Sequence, residues 1–218
     1  MSGRVGVRNI ISNGLVLRMD AGNIQSYPGT GTSVTDLSTL NTASTMVGPT
    51  FVSSNLGAWV FDGVNDYIRT PTLTGVSTGN FTIEAWIFPT TITGDFRIIS
   101  CNQTLDNFQL IVTPTAGLQL YMGSLAASAS AVFATNTWYH VAATRSGSSV
   151  VLYVNAASVA TGTNSTTVNT TYLDIGYRTS NNNHPFNGRI SVYGLYNRTL
   201  SITEISQNFN SLRSRYGV

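Results

Sequence analysis

The stretch FTIEAWIFP, residues 81–89, decides the fold. It alternates with period two: Phe81, Ile83, Ala85 and Ile87 point one way, and Thr82, Glu84, Trp86 and Phe88 point the other. Both sets carry large apolar groups, so the segment reads as a central strand covered on both sides. Pro89 ends it, because proline has no N–H to give to a ladder.

Working outward, shorter strands are expected at FRIISC (96–101), FQLIVT (108–113) and GLQLYMG (117–123), with turn residues between them. WYHVAATRSGSSVVLYVN (138–155) reads as a hairpin joined through Ser146-Gly147-Ser148, and TYLDIGY (171–177) and GRISVYGLYN (188–197) complete the set. Upstream, LVLRMDAGN (15–23) is a first strand ending at Asp20. AWVFDGVNDYIRT (58–70) reads as strand, tight turn, strand, with Asp62-Gly63 supplying the positive-φ turn chemistry. Residues 27–51 are rich in turn formers and are expected to be irregular coil lying on the body of the protein. Residues 1–13, with Arg4 and Arg8 and no clear periodicity, read as an N-terminal arm; 14–218 form the domain. About twelve short strands spaced by turns is the pattern of a sandwich or barrel.

The chain then changes period. Ser201 and Glu204 are spaced as a capping box. Ile202, Ile205, Phe209 and Leu212 follow as one apolar helical stripe. Arg213 and Arg215 stand where positive charge suits the helix dipole, and Gly217 follows as a stop. A short C-terminal helix is expected to dock this stripe on the sheets.

Composition narrows the function. Charged residues make up 9% of the chain, and its eleven basic residues are all Arg, against about a quarter charged in ordinary soluble domains. A formal net charge of +2, with the Arg scattered, excludes a nucleic-acid footprint. The single cysteine, Cys101, has no intramolecular disulfide partner. The first twenty residues hold no apolar run of signal-peptide length and no segment approaches a membrane span, so synthesis in a cytoplasm without secretory export, and no membrane partner, are expected.

Taken in order, LVLRMDAGN, FDGVNDYI, FTIEAWIFP, WYHVAATRSGSSVVLYVNA, LDIGY and FNGRISVYGLYNRTLSITEI resemble the laminin G-like and pentraxin branch of the concanavalin A-like lectin/glucanase superfamily. In that branch the last strand runs into NR-x-LS-x-x-EI, here Asn197 to Ile205, and turns off the sheet into a short helix. The resemblance implies an all-β antiparallel sandwich of jelly-roll type with a short C-terminal α-helix.

This fold hosts glycosidases and binding modules, so function rests on sites. Retaining glucanases of the superfamily use a Glu-x-Asp-x-Glu strand, whose two carboxylates serve as nucleophile and acid/base. Here Glu84 is flanked two residues away by Thr82 and Trp86, and Glu204 is committed to the cap, so no enzymatic activity is expected. Glu84 reads as a paired structural carboxylate, and His140 as a hydrogen-bonded core or groove histidine. For calcium, the resemblance places Asp106 and Asn107 as a ligand pair. The acidic and amide run expected after LDIG is replaced by Tyr177, Arg178 and Thr179, so Asp106 has alternatives in pairing with Arg178 or capping its own turn. Asp62 and Asp66 are a second candidate pair, equally explained by their Asp-Gly turn.

The expected role is therefore binding. Domains of this style without an export signal, ending on NFN-x-x-R-x-RYG, look like virion proteins of tailed bacteriophages. They imply a non-catalytic head decoration, neck or tail component that contacts capsid or tail subunits, with identical neighbours compatible with the low-charge surface. The alternative is a carbohydrate-binding adhesin, with Tyr177, Asn181, Asn182, Asn183 and His184 as the polar loop that holds a glycan.

Overall fold

In the computed structural model, which describes residues 10–73, 79–101, 108–167, 172–179 and 184–218, period-two runs become strands. In chain order they are β1 (Leu15–Asp20), β2 (Ser33–Thr35), β3 (Ala43–Val47), β4 (Thr50–Val52), β5 (Ala58–Asp62), β6 (Tyr67–Arg69), β7 (Asn80–Pro89) and β8 (Phe96–Cys101). They continue as β9 (Gln109–Val112), β10 (Leu118–Tyr121), β11 (Leu125–Ala129), β12 (Tyr139–Ser146), β13 (Ser149–Val154), β14 (Ala157–Thr163), β15 (Leu173–Ile175) and β16 (Asn187–Tyr196). The helix α1 spans Ile202–Tyr216.

The strands form two antiparallel sheets. One runs β14-β13-β12-β7-β16-β5-β4, with β1 also on β16; the other runs β11-β10-β9-β8-β15-β6-β3-β2. As its sequence requires, β7 is central, paired with β12 on one side and β16 on the other. Its Phe81, Ile83, Ala85 and Ile87 meet Ile68, Leu110, Leu120 and Ile175 of the facing sheet in one core. Fully burying each large side chain is worth ~1.5–3 kcal/mol.

Two local expectations are corrected. Residues 27–51 are not coil throughout: β2, β3 and the start of β4 lie within them. Only Ser44 and Met46 of β3 turn inward, and an alternation so short and so polar does not stand out from turn composition. The second correction concerns 58–70. Gly63 does adopt φ +81°, and Asp62 Oδ1 accepts from Val64 N and Asp66 Oδ2 from Asp62 N, both at 2.8 Å. Yet β5 belongs to the first sheet and β6 to the second, so this turn carries the chain across the sandwich.

The other face of β7 is covered by α1. Ser201 and Glu204 form the predicted capping box, and Gly217 closes the helix in the left-handed conformation. Trp86 stacks on Tyr216 with ring centroids 4.1 Å apart, and on Phe209 at 5.7 Å. Ile205 packs with Ala142, Tyr196 and Leu200. Ile202, read as the start of the docking stripe, is 49% exposed instead. The helix grips through Ile205, Asn208, Phe209 and Tyr216, which are buried.

Asn208 is the polar centre of that grip. Its Nδ2 donates to Glu84 Oε1 and Oε2 at 3.1 and 3.0 Å and lies 2.9 Å from the Tyr196 hydroxyl. His140 Nε2 lies 3.3 Å from Glu84 Oε2. Burial pushes the Glu84 carboxyl pKa up, but the His140 and Asn208 contacts outweigh it and hold it below its ordinary value. Glu84 is thus the paired structural carboxylate expected, and His140 is a core histidine. The described end of the arm joins the same network: Ile11 N donates to Asn208 Oδ1 at 2.9 Å, and Tyr196 OH donates to Ile11 O at 3.1 Å.

Arg215 does more than answer the helix dipole. Its side chain is buried, pairs with Asp20 Oδ1 at 2.6 Å, and donates to Gly57 O at 2.9 Å and Ser191 Oγ at 2.7 Å. It pins the end of α1 to β1 and β16.

Two measurements check this docking. Asn208→Ala strands a buried carboxylate short of a donor and is expected to cost about 1–3 kcal/mol in urea unfolding; an unchanged midpoint would contradict the latch. Glu204, hydrogen-bonded to Arg198 and capping Ser201, has its pKa lowered from 4.5 to about 2. A depressed carboxyl stabilises the fold above its unfolded value, so that contribution fades as pH falls from 4.5 through about 2. The stability gap between the parent chain and Glu204→Gln should close over this window, and a pH-independent gap would refute the assignment.

Candidate functional site

α1 covers the outer face of the first sheet at β7, β12 and β16, whereas the outward face of the second sheet is free to present side chains to a ligand. Ile68, Leu110, Leu118, Leu120, Leu173 and Ile175 of that sheet belong to the core. Alternation therefore turns Tyr67, Arg69, Gln109, Ile111, Gln119, Tyr121 and Asp174 outward. Arg97 of β8 stands opposite Ile111 of β9 and joins them.

These residues line two depressions. The first, about 240 Å³, is bounded by Asp95, Arg97, Gln109, Ile111, Gln119, Tyr121 and Arg178. Arg97, Gln109 and Ile111 are buried on its floor; Gln119, Tyr121 and Arg178 are half-buried, and Asp95 is exposed at the rim. Tyr121 OH donates to Gly123 O at 3.0 Å, which holds the ring in place. Burial lowers the Arg97 pKa to about 10, with Asp95 drawing it up and Arg178 pushing it down. Arg97 Nε and Nη1 have no hydrogen-bond partner.

The second depression, about 410 Å³, is lined by Val47, Asn65, Tyr67, Tyr177 and Thr179. The Tyr67 and Tyr177 rings stack with centroids 6.5 Å apart. Arg69 clamps Asp174 through Nε and Nη2 at 2.8 and 3.0 Å, and Thr179 Oγ1 donates to the same carboxylate at 2.6 Å. The stretch from Gly176 to Thr179 divides the two depressions. It runs close to the core: Gly176 has φ +87°, and a Cβ there would run into the Phe61 ring. Ser100 Oγ fixes it by donating to Tyr177 O at 2.8 Å.

The residues singled out by sequence fall partly on this face. Tyr177 is buried and lines the second depression. His184 has φ +63° and its carbonyl accepts from Arg97 N at 3.1 Å. Burial and the Arg97 and Arg178 charges lower its imidazole pKa, against Asp95. Asn181, Asn182 and Asn183 lie outside the described residues, as do the calcium candidates Asp106 and Asn107. Asp62 and Asp66 serve the turn described above, and Asp174 of the LDIG strand is committed to Arg69. Among the described residues no group of three or more His, Cys, Asp or Glu comes together as a metal site.

Arg97, Gln109, Gln119 and Tyr121 were legible only as strand residues. The available signal was a polar or aromatic side chain at the outward positions of three successive strands, FRIISC, FQLIVT and GLQLYMG.

Comparison with solved structures finds the same architecture in proteins of distant sequence. The chain superimposes on domain 4 of AbnA, a GH43 extracellular arabinanase of Geobacillus stearothermophilus in complex with arabinotriose. The TM-score is 0.66 at 19% identity, over 91% of this chain and 99% of that domain. It is also similar to the receptor-binding domain of botulinum neurotoxin C/D mosaic serotype, with TM-score 0.70 and 12% identity over 92% of this chain. A third similar structure is Trypanosoma rangeli sialidase in complex with sialic acid, with TM-score 0.70 and 17% identity over 93% of this chain. The chain spans 52% of the toxin domain and 33% of the sialidase, and at these identities the likeness is one of fold. No curated protein matches it in sequence. The profile described as concanavalin A-like lectin/glucanases superfamily (Laminin_G_3) matches residues 62–206, more than half of the chain. The chain belongs to this laminin G-like family of the concanavalin A-like lectin/glucanase superfamily.

Proposed function

We propose that the chain is a non-catalytic binding domain that holds glycans on the open face of its second sheet. The observation that carries this reading is the first depression, where two glutamines, a tyrosine ring and a buried guanidinium converge on one sugar-sized space. Amide side chains offer both donors and acceptors to hydroxyls, and an aromatic ring offers an apolar platform, the combination that gives a concave site orientation and specificity. The non-catalytic part is supported by the two glutamates: Glu84 is enclosed under α1 and Glu204 is held by Arg198 and the helix cap. A sandwich of the same fold, domain 4 of the arabinanase, is described in complex with arabinotriose, which supports the glycan reading by analogy.

For the setting, we retain the bacteriophage particle implied by the resemblance. There the domain would be a head decoration, neck or tail accessory protein contacting capsid or tail subunits, displaying its open face to host glycans. Calcium at Asp106 and Asn107 belongs to the same proposal.

A glycan array probed with the intact chain, with calcium and with chelator, tests the binding reading. Hits above background are expected, and Gln119→Ala and Tyr121→Ala should weaken them by about tenfold, the equivalent of ~1.4 kcal/mol. An empty array, hits indifferent to both substitutions, or release of cleaved sugar would overturn it. Mass spectrometry of purified virions tests the setting; the protein's absence from particles would remove it.

A further inference from the structure

We propose that the depression over Arg97 selects a sugar carrying a carboxylate, with Arg97 as the residue that recognises the anion and Arg178 as its second cation. This inference rests on the reading of the open face as a glycan site, and it names the class of glycan.

Arg97 is 6% exposed, and its Nε and Nη1 have no hydrogen-bond partner. A guanidinium stays protonated at neutral pH, so these are donors of a buried cation. Leaving such a group unpaired is costly, and proteins ordinarily pair buried charge with an anion. Among the described residues that line the depression, Asp95 is the single carboxylate, and it sits exposed at the rim; Arg178 lines the same space.

The contrast with the neighbouring depression is instructive. There Arg69 is equally placed on the outward face, but Asp174 and Thr179 complete it. The same sheet therefore holds one arginine matched by its own carboxylate and one that lacks such a match. A ligand oxyanion on the floor would supply to Arg97 what Asp174 supplies to Arg69. Charge-assisted bonds of this kind are about twice as strong as neutral ones, so hydroxyls alone would be the weaker occupant. Gln109 and Gln119 remain for the ring hydroxyls, and a depression of about 240 Å³ limits the bound unit to roughly one sugar ring.

Calorimetric titration of the intact chain separates the possibilities. The probes are galacturonate, glucuronate and N-acetylneuraminate, each with a neutral counterpart in which the carboxyl group is reduced, and galactose 6-sulfate. At least one acid should bind about tenfold or more tightly than its neutral counterpart. Arg97→Gln should bring that acid down to the neutral level, and added salt should weaken it. Arg178→Gln, at a half-buried rim position, should lower it in the same direction and serves if Arg97→Gln fails to fold. Equal binding of acid and neutral sugar would overturn the inference, as would acid binding that survives both substitutions, or preference for the sulfated sugar alone. Neutral sugars that bind and are lost with Tyr121→Ala but not Arg97→Gln would leave the glycan reading intact without the acidic one. Absence of any sugar binding would remove both.

Discussion

The structure depends on one buried polar contact: Asn208 of the C-terminal helix donating to both oxygens of Glu84 on the central strand. A carboxylate inside a sandwich is expensive unless donors surround it, and Glu84 gathers them from Asn208 and His140, beside the Tyr196 hydroxyl. These lie on α1, β16 and β12, so the requirement of one side chain fixes the helix against three strands. Aromatic stacking of Trp86 on Tyr216 and Phe209 then supplies the apolar area. With the helix in place the centre of the first sheet is covered on both sides. Recognition is left to the second.

That consequence organises the molecule into three layers with an open side. The inward residues of β6, β9, β10 and β15 fill the core, and their outward neighbours are free to vary in chemistry without disturbing it. The fold therefore provides a rigid polar surface, and the particular residues on it determine what is bound. Arg69 and Arg97 illustrate the difference: one is neutralised from within, the other is placed for a partner outside the chain.

The fold was readable where a residue's local pattern and its tertiary role coincide. FTIEAWIFP is apolar on both faces because it is covered on both faces. Ser201 and Glu204 cap the helix from within four residues of each other. The readings that failed involve partners remote in sequence. The Asp62-Gly63 turn looks like a hairpin because nothing local tells that β5 pairs with β16 while β6 pairs with β15. Strands β2 and β3 are held by each other and by β6 rather than by strong propensity. Arg215 looked like a solvated end charge until Asp20, far earlier in the chain, came beside it. The depression over Arg97 was obscured for the same reason: Arg97, Gln109 and Gln119 meet only through strand pairing.

Ligand is proposed to occupy the outward face of the second sheet. Amide chemical-shift mapping of the isotope-labelled chain during titration with trigalacturonate tests it most directly. Perturbations should concentrate on β8, β9, β10 and residues 177–179, with α1 and the outer side of β7 unchanged. Shifts centred on the helix or on the first sheet, with β8 to β10 silent, would contradict it.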